Sequence, residues 1–149
     1  MKKCIPILLM AFLSIQINAQ NSDKELVKKA CLNYLEGFYE GNTAKLKASL
    51  NPTLHKFGFW KSSQTNSYGK ADYMTFEAAL KYAENVKDKK NFPPKDAAKK
   101  VDIFEVSEKI ASAKVTAWWG IDYILLSKHK SGWMIEQVLW QGPLPKPVK

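Results

Sequence analysis

Arginine is absent from this chain, and all 23 of its basic residues are lysines. Proteins that read bases or grip phosphates bidentately rely on the planar guanidinium fork, which an ammonium cannot reproduce. The lysines are also scattered, densest at Lys87, Lys89, Lys90, Lys95, Lys99 and Lys100. A formal charge of +9 therefore reads as solvated surface, and no nucleic-acid partner is expected. Cysteine is nearly absent too, with only Cys4 and Cys31. Histidine is limited to His55 and His129, and no paired-cysteine spacing occurs, so no metal site is expected. Neither a glycine-rich phosphate loop nor a serine in a nucleophile-elbow context is present, and no cofactor is expected. No apolar run approaches the about 20 residues that cross a bilayer.

What is present begins with an export signal. Lys2 and Lys3 form a positive start, Ile5 to Leu13 is apolar apart from Pro6, and Ser14 to Ala19 is short, polar and closed by a small residue. This order predicts a cleavable signal peptide over residues 1–19, cut after Ala19. Cys4 precedes the apolar run, whereas a lipidated cysteine would follow it. The expected product is a soluble protein without a membrane anchor, in the periplasm or outside the cell. Cleavage leaves Cys31 as the sole cysteine and excludes an intramolecular disulfide. It also lowers the formal charge from +9 to about +7. Residues 20–149 then suit one domain with one core.

Ser22 and Glu25 form a capping box, predicting a helix from Asp23 to about Glu40. Leu26, Ala30, Tyr34 and Phe38 recur every four residues, beside the row Val27, Cys31, Leu35 and Tyr39. Asn42 or Thr43 caps a short second helix that Pro52 stops. Leu54 to Trp60 reads as a strand and Ser62 to Gly69 as a loop or hairpin turn. A third helix is expected from between Lys70 and Thr75 to about Glu84, with Tyr73, Phe76, Leu80 and Ala83 on one side. The polar segment Asn85 to Lys100 is an exposed connection. Val101 to Val106, Ile110 to Trp119, Ile121 to Lys128 and Trp133 to Trp140 are strands joined by tight turns, and the Pro143, Pro145 and Pro147 tail cannot extend a sheet. Short turns make sequential antiparallel pairs, and helices grouped early in the chain cover one face. The expected class is α+β.

Several segments taken together resemble a known family: Tyr34 to Asn42, Leu50-Asn51-Pro52, Asp122 to Lys128, and above all Gly132 to Trp140 ending in Val-Leu-Trp. They are similar to the putative lumazine-binding family, a branch of the nuclear-transport-factor-2-like superfamily. The resemblance spans nearly all of residues 20–149. It implies a SnoaL-like cone, a strongly curved antiparallel sheet covered by three N-terminal helices around an apolar cavity. In the family a histidine often precedes the proline at Pro52 and another polar residue often sits near Leu125. Here those places hold Asn51 and leucine.

Related cone folds include isomerases, dehydratases and cyclases that use a buried carboxylate or histidine as general base. Asp122, flanked by Trp118, Trp119 and Tyr123, is the candidate carboxylate. The competing reading is an aspartate that caps backbone N–H groups beside a turn. His55 alternates with Phe57 and Phe59 and is the candidate histidine. Glu136 shares strand parity with Met134, Val138 and Trp140, so either face of the sheet is open to it. Tyr34, Trp60, Tyr73, Trp118, Tyr123 and Trp140 are expected to line a pocket for a small apolar or aromatic ligand. Three functions follow. The leading one is an exported small-molecule-binding protein without catalysis. The alternatives are an isomerase-, dehydratase- or cyclase-type enzyme using Asp122 or His55, and a homodimeric interaction module using the sheet face.

Overall fold

The computed structural model describes residues 5–144, with side chains from residue 22 onward. The predicted leader lies outside the residues whose side chains are described. The described elements are α1 (Ile5–Glu40), α2 (Thr43–Lys47), β1 (Leu50–Trp60), β2 (Asp72–Met74), α3 (Phe76–Asp88), β3 (Lys99–Val106), β4 (Ile110–Ala117), β5 (Gly120–His129) and β6 (Gly132–Gly142). They form an α+β fold with one curved, unclosed sheet of six strands in the order β2-β1-β6-β5-β4-β3.

The helix predicted to begin at Asp23 is longer than expected. Its backbone is helical from Ile5, so the Ser22 capping box lies inside α1 rather than at its start. A capping box is a local signal, and it is overridden where the preceding chain continues the helix. At the other end the expectation and the structure agree: Gly41 turns the chain at φ 64°, a left-handed conformation open to glycine. Asn42 then caps α2, its side-chain oxygen accepting from the Ala44 and Lys45 N–H groups at 3.1 and 3.2 Å.

One difference concerns the middle of the chain. Tyr73 belongs to strand β2, not to the third helix. That helix starts at Phe76 because the Thr75 hydroxyl accepts from the Ala78 N–H at 3.1 Å, an N-cap that the helical spacing of Tyr73 obscured. The segment Ser62–Gly69 does form a hairpin turn, closed by a bridge between Lys61 and Tyr68.

The sheet is also not wholly antiparallel. β3 to β6 form the expected meander, but β1 runs parallel to β6, with Lys56 opposite Val138 and Gly58 opposite Trp140. Tight turns can only specify neighbours in sequence. This pairing joins the first strand to the last, and the tertiary packing of α1 and α3 sets it.

The helices cover one face. α1 touches β3, β4 and β6, and α3 touches β1 and α1. Ala111, Ala113, Val115 and Ala117 on β4 are buried beneath this layer, together with Val27, Cys31, Tyr34 and Leu35 of α1. The small side chains on β4 allow the close approach of α1. Each large apolar side chain buried this way contributes about 1.5–3 kcal/mol.

Candidate functional site

One rung of the sheet forms the floor of a cleft. Asp72, Gly58, Trp140 and Asp122 are direct register partners across β2, β1, β6 and β5. Strand alternation sends all four to the helix-covered face, together with Lys56 two residues earlier on β1. Gly58 is required here, since a Cβ would lie 2.4 Å from the Trp140 ring and 2.2 Å from its carbonyl oxygen. The cleft holds about 250 Å³ and is lined by Tyr34, Phe38, Lys56, Trp60, Asp72, Met74, Tyr82, Trp118, Trp119 and Trp140.

At its base is a buried polar chain. The Lys56 ammonium donates to the Tyr34 hydroxyl oxygen at 2.8 Å, and that hydroxyl donates to Asp122 Oδ2 at 2.5 Å. Trp119 Nε1 donates to Asp122 Oδ1 at 2.9 Å. Tyr34 and Asp122 are fully buried, and Lys56 is only 6 % exposed. Lys56 Nζ lies 3.8 Å from Asp122 Oδ2 and 5.5 and 5.6 Å from the ring centres of Tyr34 and Trp140. Burial disfavours the ammonium and pulls the Lys56 pKa below its ordinary value, against the attraction of Asp122 and, more weakly, Asp72. Burial, reinforced by the Asp122 charge, pushes the Tyr34 phenol well above its ordinary value. Tyr34 is therefore a neutral donor at physiological pH. It relays between an ammonium and a carboxylate.

The placement of the sequence candidates is mixed. Tyr34, Trp60, Trp118 and Trp140 line the cleft. Tyr73 and Tyr123 do not, being 66 % and 54 % exposed on the opposite face, where Tyr73 stacks on Phe57 at 5.5 Å. His55 is also exposed on that outer face, 5.2 Å from the Phe57 ring. It has no access to the cleft, which removes it as a base there. The alternation of His55, Phe57 and Phe59 was real, but it marks the uncovered side of β1. Asp122 points inward, yet it sits behind Tyr34 and Trp119 and is not among the lining groups. It accepts from side chains rather than capping a turn, and both its oxygens are engaged. Lys56 is the group that sequence reading missed. Its only signal was opposite parity to His55, which has meaning once the buried face is known.

Glu136 lies on the outer face with Met134, away from Val138 and Trp140. The register between β5 and β6 slips between Leu125 and Leu126, so one extra β6 residue reverses the parity. There it accepts from Ser127 at 2.5 Å and Asn51 at 3.0 Å, and pairs with His129 Nε2 at 2.7 Å. Burial opposes the Glu136 charge, but the bonds from Ser127, His129 and Asn51 outweigh it and hold its carboxyl below the ordinary value. Ser127 and Glu136 both meet the same histidine nitrogen, whereas a relay needs the two ring nitrogens separately. Among the described residues no group of three or more histidines, cysteines or carboxylates is placed to hold a metal. No helix among them is long and apolar enough to cross a membrane.

The family model described as Putative lumazine-binding matches residues 22–141. The chain belongs to this family. Among solved structures, an NTF2-like protein of unknown function from Shewanella baltica aligns with a TM-score of 0.61 at 16% identity, over 84% of this chain and 96% of its own. A second NTF2-like protein of unknown function, from Silicibacter pomeroyi, gives 0.55 at 16% identity over 85% and 96%. A Putative Scytalone Dehydratase from Novosphingobium aromaticivorans gives 0.60 at 11% identity, over 89% of this chain and 92% of its own. No curated protein matches the sequence. At these identities the structural likeness shows the fold, and this member of the Putative lumazine-binding family is nuclear-transport-factor-2-like in architecture.

Proposed function

We propose that this chain is an exported small-molecule-binding protein whose cleft takes a planar, aromatic ligand bearing an electron-rich oxygen. One observation carries the reading: a buried ammonium, Lys56, lies at the base of a cleft walled by Trp60, Trp118 and Trp140. Indole faces favour flat rings by stacking. The ammonium has three N–H donors and makes one hydrogen bond, to Tyr34. It therefore keeps donors for a carbonyl or anionic oxygen placed against it, and in a desolvated site such a bond is strong. Binding is favoured over general-base catalysis because both Asp122 oxygens are committed to Tyr34 and Trp119. Export is supported by the leader pattern and by a family match that begins at residue 22, beyond the expected cut.

Native mass spectrometry of the protein recovered from its own compartment tests both parts. The expected spectrum shows a chain starting at Gln20 and carrying a retained small mass. A chain still bearing residues 1–19 would overturn export. Failure of any planar oxygen-bearing aromatic to quench the cleft tryptophans would overturn binding.

A second reading, a homodimer through the sheet, rests on a different observation. Tyr73, Phe57, Leu139 and Tyr123 are consecutive register partners across β2, β1, β6 and β5 on the uncovered face. Tyr73, Leu139 and Tyr123 are all exposed, and Phe104 adds a ring 6.3 Å from Tyr123. A contiguous apolar row of this kind on an open sheet face is suited to a second copy of itself. Binding and dimerisation use opposite faces and are compatible.

A further inference from the structure

We propose that Lys56 captures carbonyl ligands covalently, forming an imine with an aromatic or conjugated aldehyde or ketone held in the cleft. The inference rests on the cleft being a ligand site and names the bond that would form there. Three features of the geometry support it.

The first is the isolation of the amine. Lys56 is the one lysine buried among the described residues, and its Nζ lies near the rings of Tyr34 and Trp140. Its carboxylate neighbour is 3.8 Å away and is already bonded to Tyr34 and Trp119. The two groups form an ion pair with no direct hydrogen bond between them, and the Tyr34 hydroxyl bridges them. Desolvation enlarges the share of free amine, the nucleophilic form, relative to a surface lysine.

The second is a proton route. The Tyr34 oxygen is 2.8 Å from Nζ and its hydroxyl donates to Asp122 Oδ2. The nitrogen lone pair attacks the carbonyl carbon, and the C=O electron pair moves to oxygen, which is protonated to give a carbinolamine. Loss of water then forms the C=N bond. The two nitrogen protons and the carbonyl oxygen leave together as water, with Tyr34 passing protons between them. No oxidant or reductant is consumed.

The third is the shape of the site. The cleft of about 250 Å³ has Trp60, Trp118 and Tyr82 to hold the ring system attached to the carbonyl. Stacking orients the carbonyl carbon towards Nζ and raises its effective concentration there.

The test uses the full chain, 2-naphthaldehyde and sodium cyanoborohydride near neutral pH, followed by peptide mapping. The expected result is reductive labelling of Lys56 at least about tenfold faster than of any surface lysine, because burial favours the neutral, nucleophilic amine and the cleft holds the aldehyde beside it. Labelling should be suppressed by 2-naphthylmethanol, which has the same ring but no carbonyl. Lys56→Arg should retain the positive charge and lose the fast label. Should that variant fail to fold, the map of the unaltered protein decides alone. If 2-naphthylmethanol quenches tryptophan fluorescence while Lys56 labels no faster than surface lysines, imine formation is overturned and the pocket reading stands. If the alcohol does not bind and Lys56 is not labelled, both are overturned.

Discussion

The Tyr34 hydroxyl donates to Asp122 Oδ2 at 2.5 Å across 88 positions of sequence, joining α1 to β5 at a site closed to water. Tyr34 also accepts from Lys56, so one phenol satisfies two buried charged groups from two strands. Tyr34→Phe would leave both without that partner. The expected loss of stability is about 1–3 kcal/mol, read as a lowered urea midpoint at unchanged slope. A loss below about 0.5 kcal/mol would mean the polar chain contributes nothing to stability.

The Lys56–Asp122 pair should behave as a unit. Removal of the carboxylate alone, as in Asp122→Leu, strands a buried ammonium at a cost of about 3–5 kcal/mol. The double replacement Lys56→Met with Asp122→Leu should recover much of that loss, because apolar packing can replace a buried ion pair. A double-mutant cycle measures the coupling. Additive losses would show that the two groups act independently.

Acid stability should depend on Glu136. Its folded pKa lies below the 4.5 of an unperturbed glutamate, despite the opposing effect of burial. A depressed carboxylate stabilises the fold fully above the unfolded value and loses that contribution as pH falls through the folded one. Glu136→Gln should therefore cost stability at pH 6–7, by about 1 kcal/mol or less for a group this exposed, and should flatten the acid limb of the stability profile below about pH 4.5. An unchanged profile would refute the assignment.

Cys31 should be inert in the folded protein. Burial pushes its thiol up to about 12, and the side chain is 0 % exposed. Alkylation mapped at Cys31 should be negligible natively and rapid in denaturant, since the thiolate is the reactive form. Rapid native labelling would mean that α1 opens from the sheet.

Leu139→Glu places a charge in the middle of the outer apolar row without touching the core. The variant should keep its thermal stability while sedimenting as a monomer, where the unaltered chain sediments as a dimer. A monomeric unaltered chain would refute the sheet-face reading.

Part of this was legible one residue at a time. The α1 stripe needs only a helical period, and it placed Tyr34 and Phe38 towards the core. The meander β3 to β6 needs only tight turns between alternating strands. The cleft tryptophans Trp60, Trp118 and Trp140 were visible as a concentration of large rings that a small fold must bury or use. The site itself was not. His55 and Lys56 are neighbours with equal claims in the sequence, and parity can be assigned to a face only when the packed face is known.

The sequence by itself determined the class of fold, the family, the stripe of α1 and the absence of a nucleic-acid signature, because all these depend on local periodicity, composition and recurring segments. Tertiary structure alone decided the rest. The parallel joining of β1 to β6 brought Gly58 beside Trp140, and β5 then brought Asp122 to the same rung. One slipped register turned Glu136 outward while Trp140 faced in. Pairing between distant strands is a property of the whole packed sheet. A one-residue difference in register exchanges the two faces, and with them the groups that meet a ligand and those that meet solvent.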